Sequence, residues 1–381
     1  MAEDWEAGGF GLYVHWPFCA AKCPYCDFNS HVTQSVDHDA WRNALVSEVE
    51  RVGTLTKGRV LRSVFFGGGT PSLMAPKTIE AVIDAIAKTW PMANDVEVTL
   101  EANPTSVEAH KFTAFRSAGI NRVSMGIQAL NDPDLLALGR LHTAAEGLAA
   151  FDIARSTFDR VSLDLMYGRQ NQSLTQWKSE LWTALALGLD HVSLYQLTIE
   201  PGTAFGDRYK RGKLSGLPND DLSADMYALT QDVCAEFGMP RYEVSNHAKD
   251  GAESRHNLIY WRYGDYAGIG PGAHGRLTLQ GQRHATEQLR MPTAWLLDND
   301  RTQEEALSGA DQAVEFLMMG LRLTEGVDLD RYTRLANRSV DDTKIKELAD
   351  LGLVTQKGRN LFVTNQGFSL LNAVLRSLLN D

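Results

Sequence analysis

No run of about 18 or more apolar residues occurs in the chain, so no segment is expected to cross a bilayer as a helix. Basic charge is short. Lys and Arg number 37 against 48 Asp and Glu, for a formal net charge of −11. That argues against a general nucleic-acid role, which needs a basic footprint, while leaving room for a local basic pocket. No repeat of about 20–50 residues and no low-complexity tract is present, which speaks against a solenoid. The acidic start, Met1-Ala2-Glu3-Asp4-Trp5-Glu6, lacks the charged-then-apolar layout of a secretory signal. Cysteine is scarce as well. Four residues, three of them close together, do not make a disulfide framework, and a reducing cytoplasm is the expected location.

The cysteines that are present carry the first positive signal. Cys19, Cys23 and Cys26 stand at C-x3-C-x2-C, directly after the apolar run Gly11-Leu12-Tyr13-Val14-His15-Trp16. Soft thiolates favour iron–sulfur and zinc sites. A closed [4Fe-4S] cubane takes four protein ligands, and so does structural zinc. Only Cys234 remains, far along the chain in a helical pattern. A three-thiolate loop therefore leaves one iron open to a small molecule. The plain alternatives are three unrelated cysteines, or a zinc-binding or redox-structural protein.

At 381 residues the chain is too long for one small core, and two domains are expected. Apolar, β-rich runs recur at 12–16, 64–66, 96–100, 123–127, 161–166 and 192–197. Amphipathic stretches lie between them, with Trp41, Leu45, Val49 and Val52, then Ile79, Val82, Ile83 and Ile86, at helical spacing. Asp132-Pro133 reads as a helix start and Ser173-x-x-Gln176 as a capping box. Six strand–helix units predict an α/β fold, a parallel sheet curled by right-handed crossovers into a partial (β/α)6 TIM-like barrel. A closed eight-fold barrel would need two further units, which the sequence after about residue 240 does not supply clearly.

In such sheets chemistry gathers at the carboxyl ends of the strands, and the conspicuous residues fall there. They are the cysteine loop, Gly67-Gly68-Gly69-Thr70-Pro71, Glu101, Gln128, Asp164 and Thr198. A glycine triplet is either a simple turn or a place where backbone approaches a ligand closely. A carboxylate in an apolar strand needs a cation, donors or a ligand, so Glu101 and Asp164 are site candidates or halves of structural ion pairs. Gln128 is a candidate or merely a strand-end cap.

From residue 241 the texture changes. Residues 241–247 read as one more strand. His256-Asn257-Leu258-Ile259-Tyr260-Trp261 and the glycine-rich stretch 266–275 lack helical periodicity and have the profile of a loop-built binding surface. Thr302-x-x-Glu305 reads as another capping box. Near the end, 348–353 reads as a helix stopped by Gly352, followed by a hairpin of 354–357 and 361–364 and a last amphipathic helix, 368–379. These parts suggest a mainly helical, winged-helix-like C-terminal domain that packs or acts as a lid. The expected division is a core over 1–250, a loop-rich connection over 251–305 and a helical domain over 306–381.

In combination these motifs resemble a known family. The cysteine loop resembles the cluster loop of radical S-adenosylmethionine (SAM) proteins. Tyr13-Val14-His15-Trp16-Pro17-Phe18-Cys19 and Phe66-Gly67-Gly68-Gly69-Thr70-Pro71-Ser72 are similar to the oxygen-independent coproporphyrinogen III oxidase group. So are Glu101-Ala102-Asn103-Pro104, Met125-Gly126-Ile127-Gln128 and Asp164-Leu165-Met166-Tyr167-Gly168. Oxidases of that group carry a further cysteine where this chain has Phe28. The string 26–31 and the string 256–261 look instead like the HemW-type haem chaperone branch.

The resemblance implies that Cys19, Cys23 and Cys26 hold a [4Fe-4S] cluster whose open iron takes SAM. It assigns Tyr13, Tyr25, Gly68, Gly69, Thr70, Glu101, Gln128, Arg140, Asp164, Thr198 and His274 to the SAM pocket, Arg140 as a fork for carboxylate. Pro271 stands where some relatives carry cysteine, which leaves histidines as axial haem ligands: His256 first, then His274, His31 and His247. The implied function is a haem chaperone that binds haem, cluster and SAM and passes haem to an acceptor protein, without coproporphyrinogen oxidation. The alternative is the radical SAM oxidative decarboxylase itself. Neither a nucleic-acid partner nor integral membrane insertion is expected, and peripheral membrane association is left open.

Overall fold

The computed structural model describes residues 3–298 and 300–379, with backbone alone at 106 and 107. Met1 and Ala2, part of the acidic start, lie outside the described residues. Six strands alternate with helices: β1 Phe10–Trp16, β2 Leu61–Gly68, β3 Met92–Ala102, β4 Arg122–Gln128, β5 Arg160–Tyr167 and β6 His191–Gln196. They pair in chain order and in parallel. The sheet stays open, in keeping with the expected partial barrel. The helix His38–Leu55 buries Trp41, Leu45, Val49 and Val52, and Pro76–Thr89 buries Ile79, Val82, Ile83 and Ile86. The anticipated helical faces thus cover the outside of the sheet.

The remainder of the sheet departs from expectation. Stretches read as loops form the helix Arg255–Trp261 and strands β8 Asp265–Ile269, β9 His274–Leu279, β10 Gln282–Gln288 and β11 Thr302–Ala306, while β7 Asn246–Ala248 closes the far edge. The full order is β11-β10-β9-β8-β1-β2-β3-β4-β5-β6-β7. β8 runs parallel to β1, and β9 to β11 return antiparallel. The glycines that suggested loops serve a tight sheet instead. A Cβ on Gly268 would stand 2.2 Å from the carbonyl oxygen of His274, so this residue lets β8 and β9 approach.

Two capping assignments also shift. Thr302–Glu305 lies in β11, and the capping box of the next helix, Gly309–Gly320, is Ser308 with Asp311. Asn131, not Asp132, caps Asp132–Ala137, because its side chain accepts from the Asp134 amide. Ser173 and Gln176 do form the expected box.

The C-terminal part is mainly helical. A three-stranded sheet joins Val327–Asp328 to the anticipated hairpin, Val354–Lys357 with Asn360–Val363, and two short helices, Asn365–Ser369 and Leu371–Leu379, replace the single last one. Phe316, Leu317, Leu321, Leu361 and Val374 centre a separate apolar core, which Tyr263 joins from the neck of the sheet. Arg276–Glu315 at 2.7 Å and Arg331–Asp4 at 2.8 Å tie it to the rest.

Candidate metal and cofactor site

β1 delivers the chain to the rim and the cysteine loop follows. Phe18–Cys19 pairs in parallel with His31–Val32, closing that loop at its base. Cys19, Cys23 and Cys26 line one cavity of about 270 Å³, together with Tyr25, Gly68, Gly69, Thr70, Glu101, Gln128, Arg140 and Asp164. Cys234 is buried in the helix Asp220–Glu236, within the main core, and does not line this cavity. Among the described residues, no group of three or more His, Cys, Asp or Glu side chains is arranged to hold a metal ion. Three free thiols around one chamber suit a polynuclear cluster. Burial pushes the Cys19 and Cys26 thiols up, and the Thr70 hydroxyl works against that at Cys19.

A polar bracket joins two of the thiols. The Arg140 guanidinium stands 3.5 Å from Cys23 Sγ, with its Nη2 donating to Asn103 Oδ1 at 2.6 Å and to the Gly126 carbonyl at 2.7 Å. Asn103 Nδ2 donates to Thr70 Oγ1 at 3.2 Å, and Thr70 donates to Cys19 Sγ at 3.4 Å. Arg140 Nε, also buried, has no partner among the described residues. A guanidinium here complements the negative charge of a sulfur that ligates a cluster. Asn103 was visible only as part of the Glu101–Pro104 string. Tyr195, another lining residue, shares the inward face of β6 with Ser193 through the two-residue period of a strand.

The carboxylates sit across the cavity. Glu101 Oε2 accepts from the Gly68 amide at 3.1 Å, and Asp164 Oδ1 accepts from Ser124 Oγ at 3.1 Å. Burial first, and the Asp164 charge second, push Glu101 up to about 8. Burial raises Asp164 as well. Near neutral pH burial therefore works against two charges on this pair. Gln128 holds a left-handed φ of 72°, and its Oε1 is buried without a donor. Strain together with an unmet acceptor marks a place where a ligand supplies the missing hydrogen bond. The amides of Gly68, Gly69 and Thr70 already donate to Glu101, Trp16 and Phe18. What that loop offers a ligand is carbonyl oxygen and the Thr70 side chain. An amine, hydroxyls and a carboxylate, the groups SAM presents, match this set of acceptors and the Arg140 guanidinium.

A second cavity of about 530 Å³ adjoins the first and shares Phe28, Gly68 and Glu101 with it. Tyr13, Tyr260, Tyr266, His274 and Arg290 line it. Tyr260 and Tyr266 stack with centroids 3.9 Å apart. Tyr13 and His274, grouped with the SAM residues in the sequence, face this chamber. Thr198 is exposed two residues beyond β6 and lines neither cavity.

The histidines separate in the same way. His256 is buried in the helix Arg255–Trp261, stacked 4.3 Å from Phe65 and tilted against Tyr260 at 4.6 Å, with Nδ1 unpartnered. Burial holds it neutral, near 3. His247 is buried in β7, and His31 is half-buried beside Asn29.

A half-barrel with three thiols at its carboxyl rim is the architecture of the radical SAM superfamily, whose model matches residues 13–178; a HemN C-terminal domain model matches 307–370. "Heme chaperone HemW" of Escherichia coli (strain K12) is 37% identical over 97% of this chain and 98% of its own. "Radical S-adenosyl methionine domain-containing protein 1, mitochondrial" of Bos taurus is 40% identical over 97% and 87%. Among solved structures, the coproporphyrinogen III oxidase HemN of Escherichia coli, described as a radical SAM enzyme, superposes with a TM-score of 0.80 at 21% identity, covering 98% of this chain and 90% of that one. This last likeness is one of fold. The chain belongs to the HemW-type branch of the radical SAM superfamily.

Proposed function

We infer that the chain is a haem chaperone: it binds haem beside a [4Fe-4S] cluster and SAM, and passes the haem to an acceptor protein without oxidising coproporphyrinogen. The observation that carries this reading is the pair of adjoining chambers, one walled by thiols and acceptors, the other by aromatic rings and a histidine. Cys19, Cys23 and Cys26 would hold the cluster. Gly68, Gly69, Thr70, Glu101, Gln128, Arg140 and Asp164 would hold SAM. When bound, the cluster supplies a redox centre with one iron position open to an exchangeable ligand.

The chain's own residues set the conditions around it. Arg140 steadies the Cys23 sulfur and keeps a free N–H for an anion. Burial and the Asp164 charge raise Glu101 to about 8 before any ligand is bound, and in its protonated form it donates as well as accepts. The stacked Tyr260 and Tyr266 and the exposed Phe28 give a flat tetrapyrrole apolar surface. His274 faces the second chamber directly, whereas His256 reaches it only if Tyr13, Phe65 or Tyr260 moves. Free thiols suit a reducing compartment.

Anaerobic reconstitution with iron and sulfide followed by hemin titration tests the reading. Saturation near one haem per chain, with a Soret band distinct from free hemin, is expected. A spectrum equal to that of free hemin overturns it. Conversion of coproporphyrinogen to protoporphyrinogen under reducing anaerobic conditions would establish the decarboxylase in its place.

A further inference from the structure

Asn29, three residues beyond Cys26, bonds through its backbone carbonyl and through both polar atoms of its carboxamide. Its backbone carbonyl is 2.9 Å from His15 Nε2. A carbonyl only accepts, so Nε2 carries the proton and His15 Nδ1 accepts from the Tyr13 hydroxyl at 2.9 Å. Its side-chain oxygen lies 3.2 Å from His31 Nε2. Its side-chain nitrogen donates twice, to the Pro271 carbonyl at 2.9 Å and to the Arg290 carbonyl at 2.8 Å. Those two carbonyls lie more than 240 positions away in sequence, in the segments that bear Gly272, His274 and Arg290 of the second chamber.

The fit is close. Gly272 has a φ of 74°, and a Cβ there would stand 2.5 Å from Asn29 Nδ2. One carboxamide thus joins the end of the cysteine loop to the wall of the neighbouring chamber, and the hydroxyl of Tyr13 is oriented through the same residue. Ser30, the next residue, places its Oγ 4.0 Å from Cys26 Sγ, so the thiol and the latch are separated by a short, ordered piece of chain.

We propose that Asn29 is a positioning residue that couples the order of the cysteine loop to the shape of the second chamber, so that filling the cluster site changes the chamber's affinity for a planar tetrapyrrole. The coupling is reciprocal by linkage: whatever the chamber holds also biases the cysteine loop. The tetrapyrrole part rests on the chaperone reading; the mechanical link does not.

The full chain is compared with N29D and G272A, each with and without reconstituted cluster. N29D is nearly isosteric but turns the donor toward Pro271 and Arg290 into a second acceptor, and G272A displaces the carboxamide without changing it. Iron and sulfide content reports the cluster, and amide hydrogen exchange over 270–290 reports the chamber wall. In the unaltered chain, reconstitution is expected to slow exchange there and to change hemin affinity by about fivefold or more. In N29D the cluster remains while both responses vanish.

A response in N29D equal to that of the unaltered chain overturns the proposal, as does an unaltered chain whose wall ignores the cluster. If N29D loses the cluster, G272A decides. Loss of cluster in both variants also overturns it, since Asn29 would then support the cluster itself rather than transmit its presence. If the unaltered chain binds no hemin, the chaperone reading fails alone and hydrogen exchange still judges the latch.

Discussion

The Arg140 guanidinium reaches the Cys23 sulfur at 3.5 Å while its second amine group grips Asn103 Oδ1 at 2.6 Å. Arg140 therefore holds the Cys23 sulfur in place and, through Asn103 and Thr70, steadies the Cys19 sulfur on the other side of the loop. Arg140→Ala leaves Asn103 and the Gly126 carbonyl without their donor. The expected cost is about 1–3 kcal/mol in chemical denaturation, with cluster content after reconstitution reduced several-fold. Arg140→Lys keeps the charge and loses the fork, and should fall between the two. Full cluster content in Arg140→Ala would contradict this role.

Cys234 gives the opposite expectation. Its thiol is buried, pushed up to about 12, and packed in the core away from the cavity. Cys234→Ala should lower stability by about 1 kcal/mol or less and leave iron and sulfide content unchanged, whereas Cys23→Ala should abolish cluster assembly. Loss of cluster in Cys234→Ala would mean that the protein supplies four ligands.

Glu101 sets a pH dependence. Its folded value of about 8 stands above its ordinary 4.5, so between those two values the folded chain binds more protons than the unfolded one. Stability is then highest near and below the ordinary value and declines as pH rises toward 8, by at most about 1.4 kcal/mol per pH unit. In cluster-free protein, Glu101→Gln should flatten this decline. From pH 6 to pH 8 the unaltered chain should lose about 2 kcal/mol more than the variant. Parallel curves would show that Glu101 is ionised throughout.

The two leading histidines are separable by stability as well as by spectrum. His256→Ala empties a buried, stacked position and should cost about 2–3 kcal/mol, while His274, exposed on the second chamber, should cost under about 0.5 kcal/mol. Hemin titration of both then shows which loss removes the Soret shift at equal folded fraction. If neither does, the iron takes another ligand.

Phe28 occupies the seam between the chambers with 56% of its surface exposed. Phe28→Ala should leave the denaturation midpoint nearly unchanged and weaken hemin binding about fivefold through lost apolar contact. An unchanged affinity would put the tetrapyrrole elsewhere.

Much of the site was legible in the chain because its residues sit at strand ends. Once six apolar runs alternate with helices, parallel pairing sends every strand terminus to one rim, and Cys19, Cys23, Cys26, Glu101, Gln128 and Asp164 meet there; Arg140, between the helices that follow β4, was suggested by the family resemblance alone. Thr198 marks the limit: β6 stops at Gln196, Leu197 packs into a small cluster with Met166 and Phe205, and Thr198 itself is exposed.

The local pattern of the chain thus determined the six parallel units, the helical faces that cover them and the short loop that gathers three thiols. These depend on periodicity and spacing over a few residues. Tertiary structure decided what depends on pairing at long range. It made strands of the glycine-rich stretch after residue 264, since β8 finds its partner in β1. It buried His256 under Phe65 and Tyr260, and it closed the cysteine loop against Pro271 and Arg290 through one asparagine side chain. Hydrogen bonds between segments so far apart in sequence leave no periodic trace, because their geometry exists only once the sheet has assembled.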